Sequence, residues 1–176
     1  MLFRETDLAG AFVIEPERRV DERGYFARLF CESELAERGL EGRVRQINTG
    51  FSPRAGTLRG MHYQTPPHAE AKIVRCLRGA VFDVVIDLRP GSPTFKRWYG
   101  IELTVENGLL LYAPPGTAHG YLTLRNDSEL LYATSAAYAP NAAHGVRYDD
   151  EAFGIVWPAD IHVISTADCS WRAFSG

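Results

Sequence analysis

The sequence predicts an all-β sandwich or barrel carrying a few short helices. Short apolar runs alternate in polarity, turn-forming residues separate them at about 10-residue spacing, and Asn107-Gly108 is a strong hairpin signal. Helix-period patterning is confined to one short segment.

Residues 11–14 form a short apolar run that reads as a strand. Residues 32–37 are the clearest helix, with Gly39 as the residue that stops it. Residues 44–51 and 57–64 alternate and flank a turn-rich Ser-Pro-Arg-Ala-Gly link. Residues 72–77 and 80–88 flank Arg78-Gly79 as a hairpin, and 98–105 and 109–113 flank Glu106-Asn107-Gly108. Residues 119–124 and 129–134 flank a turn of Arg125, Asn126, Asp127 and Ser128. Residues 139–151 read as irregular. Nothing repeats and no linker or low-complexity tract interrupts the chain, so residues 1–176 are expected to form one domain.

Charge and cysteines narrow the function classes. The net charge is −3, which argues against a protein held to nucleic acid by phosphate contacts. The cysteines, Cys31, Cys76 and Cys169, are odd in number and widely spaced, so a disulfide framework is not expected and a reducing cytoplasm is the simpler setting. The first residues carry Arg4, Glu5 and Asp7 without an apolar stretch, and no run approaches membrane-spanning length; neither secretion nor a membrane partner is expected.

Two stretches carry chemistry. In LRGMHYQ, residues 58–64, Arg59 precedes His62 by three positions in a strand. Strict alternation puts Arg59, Met61 and Tyr63 on one face and Leu58, Gly60, His62 and Gln64 on the other. A histidine in a sheet, with cations near in sequence, is a candidate general base for an anionic substrate. The second stretch, Tyr112 to His119, places a Pro-Pro-Gly turn before a strand that opens on His119. It resembles the second signature of cupin barrels, in which that histidine often binds a metal. His62 has no second histidine two positions away, so three protein ligands are not in view and neither a metal nor another cofactor is expected.

Read together, the blocks resemble the dTDP-4-dehydrorhamnose 3,5-epimerase family, from about Asp21 to Asp168. They run DERGYF (21–26), QIN (46–48), LRGMHYQ (58–64), KIVR (72–75), DVVIDLR (83–89), PGTAHG (115–120), Tyr132 with Tyr138, and IVWP (155–158). The resemblance implies a cupin-like jelly roll acting without metal on a nucleoside-diphosphate 4-keto-6-deoxy sugar. His62 would be the base, Asp168 the carboxylate that orients it, Lys72 the cation that stabilises an enolate, and Tyr132 the acid on the opposite face. Arg23 and Arg59 would meet the diphosphate, with Gln46 and Asn48 beside them, and Tyr138 would stack on the nucleobase. For His119 two roles stay open, substrate binding and structural support. The family is dimeric, so a homodimer is expected in which the N-terminal segment lends residues to the neighbouring site.

Some positions depart from the family pattern. Arg28 stands where a glutamate near the nucleobase is usual, Gly50 where a serine is, Ala133 where a lysine is and His144 where a glutamate is. The reading is an epimerase inverting carbon 3, carbon 5 or both. Its alternatives are a mono-epimerase on a CDP- or GDP-linked sugar, a 3,4-ketoisomerase, and a sugar-binding cupin without turnover.

Overall fold

The computed structural model describes residues 1–175. In chain order the elements are β1 (Leu2–Glu5), β2 (Phe12–Glu15), β3 (Arg19–Asp21), β4 (Gly24–Phe26), α1 (Glu32–Ala36), β5 (Gln46–Ser52), β6 (Thr57–Gln64) and β7 (Lys72–Arg78). There follow β8 (Ala80–Asp87), β9 (Trp98–Thr104), β10 (Leu110–Ala113), β11 (Thr117–Thr123), β12 (Ser128–Thr134), β13 (Ala143–Gly145), β14 (Val163–Ile164) and α2 (Thr166–Cys169). One six-stranded sheet runs β1-β2-β10-β7-β12-β5; a second runs β13-β6-β11-β8-β9, with β14 added beside β6. Pairing is antiparallel except for the short β14–β6 contact. This is the expected jelly-roll barrel.

Turn chemistry sets much of the register. Asn107 Oδ1 accepts from the backbone N–H groups of Thr104 and Leu109, both at 3.1 Å, which closes the β9–β10 connection. α1 is shorter than expected by one residue, and Gly39 follows it with φ +69°.

The core lies between the sheets. Val13, Val74 and Leu130 from the first sheet meet Val81, Val85 and Leu103 from the second, each no more than 4% exposed. Removing such a side chain from water contributes roughly 1.5–3 kcal/mol. The outer face of the second sheet is covered by the C-terminal segment: Val146 and Phe153, with Ile155, Trp157 and Phe174, pack on Met61, Val84, Ile86 and Ala118. That covering brings β14 and α2 against β6.

The sequence did not reveal β1, β3, β4, β13, β14 and α2, which are two to four residues long. β3 and β4 form a separate two-stranded hairpin whose Val20, Tyr25 and Phe26 are exposed. No helix among the described residues is long and apolar enough to cross a membrane.

Candidate active site

Cross-strand register fixes which side chains enter the barrel. His119 pairs with Val85, and Tyr121 with Asp83. Residues directly opposite share a face, so His119, Tyr121 and Asp83 face inward with Val85. β6 meets β11 through a bulge, with His119 opposite His62 and Tyr121 opposite Arg59. Two residues of β6, Gly60 and Met61, therefore stand against Gly120 alone. The extra residue reverses the alternation, so Arg59 and His62 point to the same face, not to opposite faces as strict parity predicted. Met61 goes to the opposite side and is fully buried there. The bulge requires glycine on both strands: a Cβ at Gly60 would lie 2.6 Å from Gly120 Cα, and one at Gly120 2.6 Å from Met61 Sδ.

α2 delivers Asp168 to His62. Ser165 caps the helix by accepting the Asp168 N–H at 3.0 Å. His62 Nε2 lies 2.6 Å from Asp168 Oδ1, and the Gly60 N–H donates to Oδ2 at 3.4 Å. Burial alone would raise the Asp168 carboxyl, but the hydrogen bond and charge of His62, with Ser165 and the Gly60 amide, hold it below the usual carboxylate range. An ionised carboxylate only accepts, so Nε2 carries the hydrogen and Nδ1 keeps a lone pair. The His62 side chain is 49% exposed while that of Asp168 is 7%: an accessible imidazole on a sequestered support. Trp171, in the segment after α2, lies flat enough on Gly145 that a Cβ there would fall 2.3 Å from its ring. Gly145 pairs with His62.

Lys72 is buried, contrary to what an outward solubilising lysine would show. Its Nζ sits 3.0 Å from Glu70 Oε1 and donates to the His62 carbonyl at 3.1 Å. Gln64 Nε2 donates to Glu70 Oε2 at 2.8 Å, and Gln64 Oε1 accepts the Ala139 N–H at 2.6 Å. Lys72 is thus fixed beside His62 by a polar network that also holds the loop carrying Tyr138.

The opposite wall comes from the first sheet. Tyr132 pairs with Asn48 and Val74, and Thr134 with Gln46 and Lys72, so these side chains line the interior with Val74. Gln46 Oε1 accepts the Tyr138 N–H at 2.7 Å; the Tyr138 side chain is exposed. Arg59 Nε donates to Ser52 Oγ at 3.3 Å and its Nη2 to the Phe51 carbonyl at 3.1 Å. His119 Nε2 lies 2.8 Å from Asp83 Oδ1, within hydrogen-bond distance, and both are buried. Among the described residues, no group of three His, Cys, Asp or Glu side chains converges as a metal site would.

An oriented imidazole, an ammonium fixed beside it and an interior-facing phenol of the first sheet are groups that can move protons at carbon. The family model for dTDP-4-dehydrorhamnose 3,5-epimerase matches residues 5–176. The chain belongs to the dTDP-4-dehydrorhamnose 3,5-epimerase family. It is 40% identical over 171 residues to the dTDP-4-dehydrorhamnose 3,5-epimerase of Sinorhizobium fredii, covering 97% of this chain and 88% of that one. The crystal structure of the corresponding Elizabethkingia anophelis enzyme superposes with a TM-score of 0.96 at 38% identity, covering 99% of this chain and 96% of that one. The Legionella pneumophila epimerase, solved in complex with dTDP-4-keto-L-rhamnose, superposes at 0.90 with 34% identity, covering 98% of this chain and 92% of that one.

Within this epimerase-family chain two expected substrate contacts lie away from the interior. Arg23 stands at the tip of the β3–β4 hairpin, 84% exposed, and pairs with Asp21. Arg28 pairs with Glu34 at 2.9 Å. Both belong to the exposed N-terminal part of the chain, so short-range ion pairs hold them where no interior group competes. Glu70, Gln64 and Asp83 were not singled out in the sequence. Glu70 shares parity with Lys72 and Asp83 with Val85, the signal that would have placed both inside.

Proposed function

We propose that the chain is a dTDP-4-dehydrorhamnose 3,5-epimerase, inverting carbons 3 and 5 of dTDP-4-dehydro-6-deoxyglucose. The observation that carries this reading is the 2.6 Å contact of His62 with Asp168, with the Lys72 ammonium on the His62 carbonyl and Tyr132 facing the interior from the first sheet. Protons on the carbons flanking a ketone are acidic because the anion delocalises onto the carbonyl oxygen. His62 Nδ1 takes such a proton, and Asp168 stabilises the imidazolium. The C–H electron pair moves into the ring as an enolate, whose oxygen the Lys72 ammonium stabilises. Tyr132 returns a proton to the opposite face of the same carbon. The tyrosine recovers its proton from water and the imidazolium gives one up, so the reaction is redox-neutral and balanced.

Arg59 receives the diphosphate, with Gln46, Asn48 and His119 around the substrate. Tyr138, exposed and anchored through its N–H to Gln46, offers a face for the base. The Legionella relative's bound dTDP sugar supports the nucleotide assignment. The relatives from Sinorhizobium fredii, Methanothermobacter thermautotrophicus, Bacillus anthracis and Legionella pneumophila carry a thymidine nucleotide in their names, which does not favour a CDP- or GDP-linked substrate or 3,4-ketoisomerisation. The protein acts as a cytoplasmic homodimer: Arg23 and the exposed Val20, Tyr25 and Phe26 make the β3–β4 hairpin an arm that reaches a neighbouring subunit's site, with Arg28 at its base. Sedimentation at micromolar concentration tests the dimer; a monomer that turns over at the full rate would remove the arm from the site.

The experiment for the reaction is incubation in D₂O with dTDP-, CDP- and GDP-linked 4-keto-6-deoxyglucose, read by NMR. Deuterium is expected at carbons 3 and 5 of the dTDP sugar. Label at one carbon would reduce the reading to mono-epimerisation; none in any series would overturn it.

A further inference from the structure

Gln64 is the last residue of β6 and shares a face with His62, two positions before it. It is 6% exposed, and a buried amide carries a desolvation cost unless both its ends are bonded. Gln64 Nε2 donates to Glu70 Oε2 at 2.8 Å, to the His68 carbonyl at 3.0 Å and to the Ala137 carbonyl at 3.3 Å. Its Oε1 accepts the Ala139 N–H at 2.6 Å. Turned end for end, the amide would set its nitrogen against the Ala139 N–H and its oxygen against a carboxylate and two carbonyls. The donor and acceptor pattern therefore fixes its orientation.

The Ala137 carbonyl and the Ala139 N–H flank Tyr138, and Gln46 Oε1 accepts the N–H of Tyr138 itself at 2.7 Å. Backbone bonds tie the ends of this segment to its neighbours. Ser135 N–H donates to the Ala71 carbonyl at 3.0 Å, and Thr65 N–H to the Ala142 carbonyl at 2.9 Å. Between those ends two glutamine side chains hold the main chain, Gln46 from the first sheet and Gln64 from the second. Tyr138 is 66% exposed, so packing does little to place its ring. The clamp fixes its Cα–Cβ direction and leaves only the side-chain torsions free. Glu70 anchors the clamp through its ion pair with Lys72, whose Nζ donates to the His62 carbonyl. The Tyr138 ring and the His62 imidazole are thus referred to the same strand.

We infer that Gln64 is a positioning residue for the nucleotide: by holding the main chain on both sides of Tyr138, it sets that ring as the platform for the base in register with His62. The inference rests on the reading of Tyr138 as the group that stacks on the base. A platform placed before the ligand arrives avoids the cost of ordering it on binding.

The test compares wild type with Gln64→Ala, Tyr138→Ala and the double variant. Affinity for dTDP, thymidine and inorganic pyrophosphate is measured by calorimetry, kcat and KM by turnover, and folding by thermal melting. Alanine at position 64 leaves a polar-lined space that water can fill, so Gln64→Ala is expected to stay folded. It should weaken dTDP and thymidine about threefold to tenfold, the cost of ordering a loosened side chain on binding. KM should rise alike, by more than kcat falls. Pyrophosphate, which has no base, should bind as it does to wild type. In the Tyr138→Ala background the Gln64 substitution should cost no further affinity, because the ring it positions is gone. Hydrogen exchange of wild type gives a second reading that needs no variant: the Tyr138 and Ala139 amides should be protected although the ring is exposed. A folded Gln64→Ala with wild-type dTDP affinity, equal loss of dTDP and pyrophosphate, or additive losses in the double variant overturns the inference. Free exchange at both amides in wild type overturns it whether or not the variants fold. A wild type that binds no dTDP, or a Tyr138→Ala that binds it as wild type does, takes down the functional reading of Tyr138 and this inference with it. A weakened Tyr138→Ala beside an indifferent Gln64→Ala takes down this inference alone.

Discussion

His62 Nε2 and Asp168 Oδ1 stand 2.6 Å apart although 106 residues separate them in the chain, and it is the buried partner that carries the fixed charge. In the proposed reaction the carboxylate sets the tautomer and compensates the imidazolium once His62 has taken a proton. Asp168→Asn keeps the shape and removes the charge. It should lower proton abstraction about 10²–10⁴-fold, the span general-base contributions usually cover. His62→Ala should do at least as much while melting near wild type, because its side chain is half exposed. Deuterium wash-in at carbons 3 and 5 measures this step directly; wild-type exchange in Asp168→Asn would remove the pair from the mechanism.

Tyr132 lines the first sheet and His62 the second, so in the proposed reaction abstraction and return use opposite walls. Tyr132→Phe should therefore separate the two. Exchange of the carbon-bound hydrogens into D₂O should survive better than net inversion, by about 10²-fold or more, the low end of what a positioned acid usually contributes. Equal loss of exchange and inversion would sink its assignment as the acid.

Much of this site could be read from residue types, and the rest depended on geometry that sequence does not carry. His62, Lys72 and Tyr132 sit on strands that the alternating pattern located, but the roles expected of them came from the resemblance to the family's blocks; β6 has the expected limits. The shared face of Arg59 and His62 could not be read, because one bulged residue reverses parity and only the pairing with β11 reveals it. Asp168 lies on a four-residue helix, too short for any period to register. The β3–β4 hairpin was invisible for a related reason: its three-residue strands expose both faces, so Val20, Tyr25 and Phe26 give no inward-outward contrast. The interior position of Glu70 followed from its spacing to Lys72 once Lys72 was known to be buried.

Lys72 and Glu70 form a buried ion pair, and removing one partner strands the other. Lys72→Ala should cost about 3–5 kcal/mol of stability in addition to activity, the penalty for an unpaired buried charge. Lys72→Met combined with Glu70→Gln removes both charges and should regain most of that stability while turnover stays lost. Urea denaturation alongside kcat separates the two effects. Recovery of turnover in the double variant would show that the ammonium is not needed at the enolate.

Acid stability should depend most on Asp87, which is fully buried at the end of β8. Burial raises its carboxyl, but Arg89, Ser92 and Thr94 outweigh that and bring it down to about 2 from an ordinary 3.8. Arg89 Nε and Nη2 each donate to it at 2.8 Å, and Thr94 Oγ1 at 2.6 Å. The folded value lies below the unfolded one, so the unfolded chain binds the proton more readily. The contribution is complete above the ordinary value and is lost as pH falls from about 4 through about 2. The shift from 3.8 to about 2 corresponds to about 2 kcal/mol at neutral pH. Asp87→Asn should be less stable than wild type by at least about 2 kcal/mol at pH 7, since it also leaves Arg89 without its counter-charge. The charge-linked part of that gap should close as the pH is lowered to about 2, where the wild-type carboxyl takes up its proton. Asp168, lowered in the same direction, remains in both proteins and cancels from the comparison. Urea midpoints at a series of pH values measure the gap. Parallel curves for the two proteins from pH 7 to 2 would show that the network holds its loop by hydrogen bonds alone, without help from the charge.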